Sequence, residues 1–451
     1  MHTQESRIHI LAEAPVVKAI FTMALPVMFG MIVQVVYNMV DTFFIGKMND
    51  VNQLAAAGIG FPIFMFLMAY GGVAGVGAAS IISRFIGMKK MREAGEVVSL
   101  SLVLIVLMAV VLTVAGLAFL DPLISVFGAS GDVIIPTKQY LFPLIIGSVF
   151  ILANYSLSII LRAEGAALPA MKGMLIGTVI NIILNPVMIF VFGWGIAGSA
   201  WATVVGNLAG LLYYLSCYAG KSILKLSFGI HLFRSDYFRG IFSIGVPSGL
   251  NMGLMSAASI ITNNLAAFYG ATVLAAMGIS VRVSSLFILL LVGLAVGCQP
   301  LVGYNYGAKN ALRLKQIIKT SMVIAVILGT FLLVIFLVFG KYTIAVFTNI
   351  PDVIEKGTFI LRAMSLSAPI VGVIMICMNS LQALGKALPS LILSTGRQGL
   401  FYIPILFLLN HFFGFNGLIF TQAIVDVLMC VTATIMLKHV LKTDIQLLSS
   451  Q

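Results

Sequence analysis

Long apolar runs separated by short polar connections fill the chain. A bilayer crossing takes roughly 20 apolar residues. Runs of that length fall near residues 18–46, 54–82, 96–120, 135–160, 170–193, 196–219, 239–268, 273–301, 316–340, 356–381, 389–412 and 416–438. Barrel strands alternate over roughly 10 residues, so these runs read as helices. The pattern predicts an all-α polytopic membrane protein with twelve transmembrane helices. Pro26, Pro62 and Pro143 fall inside runs and are expected to bend or interrupt them, because proline cannot complete the helical hydrogen-bond ladder.

The pattern also repeats. LAAAGI at 54–59 matches LAAMGI at 274–279, and LRAEGAALP at 161–169 matches LQALGKALP at 381–389. Between them, Gly87 and Lys89 correspond to Gly307 and Lys309, at the same offset of 220 residues. A constant offset that includes loop residues marks an internal repeat rather than chance similarity of apolar segments. Six spans per repeat is an even number, so the two lobes are parallel. Two parallel six-helix lobes around a central cleft describe a transporter. Residues 1–219 then form an amino-terminal lobe, 220–238 a cytoplasmic connection and 239–451 a carboxy-terminal lobe.

Charge gives the orientation. With the amino terminus inside, 20 of the 26 Lys and Arg fall in inside segments, among them Lys221, Lys386 and Arg397. Only Lys47, Lys138, Lys341 and Lys356 fall outside, and Arg282 and Arg362 lie within spans. The positive-inside rule puts both termini in the cytoplasm. The net charge of +12 is therefore a topology signal, not a nucleic-acid footprint. At 61% hydrophobic and 9% charged residues, the composition excludes soluble globular, disordered and disulfide-scaffold classes. Cys217, Cys298, Cys377 and Cys430 lie in apolar runs with no CxxC spacing and read as packing. The polar start of the chain shows no cleaved signal peptide.

Carboxylates at membrane depth are the informative chemistry, because an ionised one is costly there. Asp41 in the first span and Asp426 in the last qualify; Glu164 reads as a loop residue. Gln34, Asn38 and Asp41 follow at i, i+4 and i+7, one stripe of a helix, with Tyr37 a turn before Asp41. Such a stripe must face protein or a water-filled cavity. Asn181 and Asn185 share one face of the fifth span, Thr203 lies in the sixth, and Tyr140 begins the fourth. Each Asn or Thr alone is equally readable as interhelical glue. Arg282, the other charge deep in a span, is a candidate static partner for Asp426. HExxH, GxSxG and GxxxxGK[ST] patterns are absent, and the five histidines lie in tails, a loop (His231) or span ends. This argues against an enzyme, a metal centre or an ATP site.

Taken in order, ALPVMFG with Pro26, VYNMVDTFFIG with Asp41, LRAEGAALPAMK, NIILNP and GIAGSAWAT make nearly the whole chain similar to the multidrug and toxic compound extrusion (MATE) family, particularly its bacterial DinF-like and MepA-like branch. The resemblance implies export of organic cations and amphipathic drugs in exchange for H+ or Na+, by rocking of two lobes. It implies that Asp41 couples the ion and that Tyr140, Asn181 and Thr203 are its polar neighbours. Asn185 stands where some members carry a second aspartate. Asp426 resembles a last-span acid of the same branch.

The leading expectation is H+-coupled drug efflux by alternating access, by a monomer in the bacterial inner (plasma) membrane, without cofactor or nucleic acid. Na+ is the close variant, with Asp41, Asn181, Asn185 and Thr203 supplying oxygens. The alternative from the same wider superfamily is a lipid-linked saccharide flippase, which would want several cationic side chains at mid-membrane.

Overall fold

The computed structural model describes residues 2–449 apart from Gly128, Lys221, Phe228, Ile230 and His231, and for 2–4, 6 and 445–449 the backbone alone. Lys221 and His231 of the expected connection thus lie outside the described residues. The described chain is helical, without strands. Its helices are α1 (His2–Ala12), α2 (Val16–Gly46), α3 (Val51–Gly87), α4 (Met91–Ala118), α5 (Leu120–Val126), α6 (Ile134–Ile146), α7 (Ser148–Ala163) and α8 (Ala167–Pro186). They continue with α9 (Gly195–Gly220), α10 (Ser235–Phe268), α11 (Ala271–Gly307), α12 (Ala311–Ala345), α13 (Pro351–Ser365), α14 (Ala368–Ala383), α15 (Ala387–Thr395) and α16 (Tyr402–Ser449). Wide π turns extend α8 over Val187–Val191 and join α15 to α16 over Gly396–Leu400.

Two of the twelve spans are broken. Residues 131–146 meet α7 at 57°, and α13 meets α14 at 44°. Pro143, near the first break, removes a ladder hydrogen bond, whereas Pro26 and Pro62 lie inside unbroken helices. The stretch Ala387–Asp444 has 58 residues. At 1.5 Å per residue a stretch of that length runs about 87 Å, nearly three hydrocarbon thicknesses. Gly414, at φ 55° and ψ −133°, breaks it into two spans. With each broken pair as one span, the described residues hold twelve.

The repeat is written in the backbone. Lys89 and Lys309 both take left-handed φ, 60° and 56°, and Gly165 and Gly385 do so at 80° and 75°. Each pair is separated by the 220-residue offset. A left-handed lysine is uncommon enough that its recurrence marks equivalent turns.

Contacts divide the chain into two compact units. The first comprises Met1–Glu13 and Phe29–Gly249; the second, Ala14–Met28 and Leu250–Gln451. Helices α2 and α10 therefore each change unit close to an internal proline, Pro26 and Pro247. Within the first unit, small residues let helices touch: a Cβ on Gly77 or Gly245 would overlap the carbonyl of Ile241 or Val73 between α3 and α10. Polar bonds cross helices too, as from Ser156 Oγ to the Gly71 carbonyl at 2.7 Å and from Tyr214 Oη to that of Ala170 at 2.7 Å. Within the second unit, Gly297 packs on Ala24 of α2, and Ser280 Oγ donates to the Gly357 carbonyl at 2.9 Å.

Candidate functional site

The first unit gathers its polar residues around Asp41, which lies on the last two turns of α2. Asn185 Nδ2, at the end of α8, donates to Asp41 Oδ1 at 2.6 Å. Ser199 Oγ, in the second turn of α9, donates to the same oxygen at 2.6 Å. One turn further along α9, Thr203 Oγ1 accepts from Asn181 Nδ2 at 3.3 Å and shares a 3.0 Å hydrogen bond with Tyr37 Oη. Asn181, Asn185, Ser199 and Thr203 are all buried, while Asp41 is half-buried. Tyr140 on α6 is buried against Gly60 and within electrostatic reach of Asp41 and Tyr37. Gln34 and Asn38 lie on α2 but make no side-chain hydrogen bond among the described residues.

Local sequence explains the arrangement. The i, i+4 spacing of Tyr37 and Asp41, of Asn181 and Asn185, and of Ser199 and Thr203 puts two polar groups on one face of each of three helices. The start of α9 is fixed by a side chain from elsewhere: Gln53 Oε1 accepts from Ile196 N at 2.9 Å, and Gln53 Nε2 is itself held by Asp50 Oδ2 at 2.9 Å. This trans cap satisfies an orphan donor of the first turn, and so sets the turn that carries Ser199. Ser199 was not singled out from sequence because a serine among Gly and Ala reads as a packing residue. Its place one turn before Thr203 was the available signal.

Two features decide the chemistry. Asp41 has no ion pair among the described residues; both donors to it are neutral. In addition, the amide oxygens of Asn181 and Asn185 are buried without any hydrogen-bond partner. A carboxylate with neutral donors and nearby spare oxygens can take up a proton or a hard cation without first breaking an internal salt bridge.

Asp426 differs. The expected pairing with Arg282 is corrected: Arg282 is exposed on α11, and Arg397 Nε donates to Asp426 Oδ1 at 2.8 Å. Gln422 Nε2 reaches the same oxygen at 3.0 Å and Ser367 Oγ reaches Oδ2 at 2.7 Å. Arg397 lies on the π turn Gly396–Leu400, which joins α15 to the helix that carries Asp426. Arg397 is accordingly not a free inside charge, and the orientation rests on the remaining ones. Glu164 is also more than a loop residue: it lies in the turn after α7, fully buried, and accepts from Ser222 Oγ at 2.6 Å. Outside the spans, burial pushes its carboxyl up to about 7. No group of three or more His, Cys, Asp or Glu able to hold a metal occurs among the described residues.

A family model described as MatE matches residues 26–187 and 247–408. The chain is 30% identical over 441 residues to the multidrug export protein MepA of Staphylococcus aureus (strain MSSA476), covering 97% of each. It is 30% identical over 426 residues to the protein of the same name from Staphylococcus haemolyticus, covering 94% of this chain and 93% of the relative. Among solved structures, one described as MATE in the bent conformation matches with a TM-score of 0.92 at 25% identity, covering 98% of this chain and 99% of that one. A second, an outward-facing conformation of a multidrug resistance MATE family transporter, matches with a TM-score of 0.91 at 26% identity, covering 97% and 98%. The two matched segments are the two halves of the repeat, and this chain belongs to the MatE family of membrane transporters.

Proposed function

We propose that this protein is a secondary antiporter that exports organic cations and other amphipathic drugs in exchange for H+, with Asp41 as the coupling carboxylate. The observation that carries the reading is that Asp41 is an intramembrane acid held by neutral donors alone. Such a group is a functional site by default, because nothing in its surroundings cancels its charge. Anionic Asp41 attracts a cationic drug; a proton arriving from outside neutralises it and releases the drug. Loss of that proton to the cytoplasm restores the charge. Coupling follows if proton and drug stabilise different arrangements of two lobes, residues 1–219 and 239–451 joined by 220–238, because a ligand shifts an equilibrium only by its differential affinity. The protein would act as a monomer in a bacterial plasma membrane with both termini cytoplasmic, as the loop charges favour.

Na+ is the second reading, and the two unpartnered amide oxygens beside Asp41 favour it. Hard cations take oxygen ligands, and Asp41, Asn181, Asn185 and Thr203 supply them. Proteoliposomes given a pH gradient or a Na+ gradient alone, with ethidium as the exported cation, separate the readings. Efflux driven by neither gradient would overturn both.

A further inference from the structure

Residues 193–195 read Gly-Trp-Gly, so the segment leading into α9 offers no side-chain oxygen to cap the helix it starts. The N–H of Ile196 is met instead by Gln53 Oε1 at 2.9 Å, from 143 residues away in sequence. Gln53 is fixed at its other end as well. Its Nε2 donates to Asp50 Oδ2 at 2.9 Å, while Asp50 Oδ1 takes the N–H groups of Asn52 and Gln53 at 2.9 and 3.3 Å as the N-cap of α3. Only the amide nitrogen can donate to a carboxylate, so Asp50 decides which way the amide faces and leaves Oε1 for α9. Gly195, at a left-handed φ of 53°, makes room for it: a Cβ there would come within 2.8 Å of Gln53 Oε1.

This buckle closes a ring with the Asp41 site. Asp41 and Asp50 are nine residues apart along the chain, and Ile196 and Ser199 are three apart, about one turn of α9. Gln53 joins the two stretches at one end, and Ser199 Oγ joins them again at Asp41 Oδ1, at 2.6 Å. Asn185 donates to the same oxygen, so both donors hold Oδ1, and Oδ2 takes no hydrogen bond among the described residues. A carboxylate pinned through one oxygen presents the other in a fixed direction, which spares a charged ligand the cost of ordering it. Serine has a single side-chain torsion and little reach. If the first turn of α9 moved by about 1 Å, the Ser199 bond would pass out of hydrogen-bonding range.

We propose that Gln53 is a positioning residue for the cation site: anchored on Asp50, it holds the first turn of α9 where Ser199 reaches Asp41, and so sets how tightly that carboxylate binds an organic cation. Gln53 touches no ligand in this scheme and acts through Ser199 alone. The proposal rests on the reading of Asp41 as the group that attracts the exported cation, and adds to it a residue on a different helix that controls its strength.

Ethidium binding to the purified full-length protein in neutral detergent, followed by fluorescence polarisation at one fixed pH, reads the proposal. Gln53→Leu removes both bonds at similar volume and is expected to weaken binding about tenfold, the size of one hydrogen bond to a charged group. Ser199→Ala is expected to weaken it as much, and the double variant Gln53→Leu, Ser199→Ala no further. Gln53→Glu alone sets two carboxylates against each other and should match Gln53→Leu. The exchanged pair Asp50→Asn, Gln53→Glu rebuilds the buckle with donor and acceptor swapped, and should bind as the wild type does. Gel filtration and thermal melting identify the folded variants; if Gln53→Leu aggregates, Gln53→Glu and its rescue decide. Losses that multiply in the double variant, or an exchanged pair that stays weak, overturn the proposal. Asp41→Asn separates it from the reading beneath it. If that folded variant binds ethidium as the wild type does, the cation site fails and the positioning role with it. Weak binding by Asp41→Asn beside unchanged binding by folded Gln53→Leu overturns the positioning role alone.

Discussion

Asn185 donates to Asp41 across 2.6 Å, although 144 residues separate them in sequence. The bond ties the end of α8 to α2 and puts an uncharged donor where an ion pair would otherwise be expected. In the second unit, Asp426 has Arg397 at 2.8 Å instead. Two aspartates at membrane depth thus have opposite electrostatic settings, and only one is free to change its charge cheaply.

Each donor to Asp41 stabilises the folded protein as long as the carboxylate is ionised. Ser199→Ala removes a hydrogen bond to a charged group, a loss of about 2 kcal/mol. Thermal unfolding in detergent should show the melting point of the variant falling by several degrees. An unchanged melting point would mean that Ser199 contributes little to holding the acid.

The buried pair Arg397–Asp426 predicts a non-additive pattern. Removing one partner strands a charge at a cost of about 3–5 kcal/mol, whereas replacing both with apolar residues of similar volume is far less damaging. Arg397→Met, Asp426→Leu and their combination form a double-mutant cycle. Strong coupling, with the double variant more stable than either single one, is expected; additive losses would contradict the pairing.

Glu164 makes stability depend on pH. Burial raises its carboxyl from 4.5 to about 7, against the opposing bond from Ser222 and the charge of Arg7. The folded state therefore holds the proton more tightly than the unfolded chain. Its contribution is complete below pH 4.5 and is lost as pH rises through about 7. At 1.36 kcal/mol per unit the loss is roughly 3 kcal/mol. Melting points of the wild type should fall between pH 5 and 8 more steeply than those of Glu164→Gln; parallel curves would contradict this.

Gly245 lies where α10 meets α3, and any side chain there would overlap the Val73 carbonyl. Gly245→Leu should prevent assembly of the first unit, which gel filtration of the solubilised protein would show as aggregation. A monodisperse, fully stable variant would mean that the helices do not touch there.

The spans and the repeat were legible because both are carried by composition and by backbone turns. Runs of apolar residues must be helices in lipid, and Lys89/Lys309 and Gly165/Gly385 recur because equivalent turns need equivalent backbones. Spacing puts Gln34, Asn38 and Asp41 on one stripe with Tyr37 a turn before Asp41, whereas the hydrogen bonds to α8 and α9 come from Tyr37 and Asp41 and not from the side chains of Gln34 or Asn38. Partners were not legible. Ser199 gives no signal beyond its place one turn before Thr203, and Arg397 counts in sequence only as one of the inside charges. Periodicity reveals neither the π turn Gly396–Leu400 on which Arg397 lies nor its bond to Asp426. Arg282 appeared the better partner for Asp426 only because it sits deep in a span, yet it is exposed on α11. Glu164 read as solvated because it adjoins a turn, but that turn is packed against Leu11 of α1. In each case, the missing information was a contact between helices distant in sequence.

The most direct test of the account is gradient-driven ethidium efflux from proteoliposomes by Asp41→Asn, with Asp426→Asn measured in parallel. Asparagine keeps the shape of the side chain but can be neither charged nor neutralised. Asp41→Asn is predicted to abolish efflux under a pH gradient and under a Na+ gradient while the protein stays folded. Full gradient-driven efflux by that folded variant would contradict the claim that Asp41 couples ion to drug.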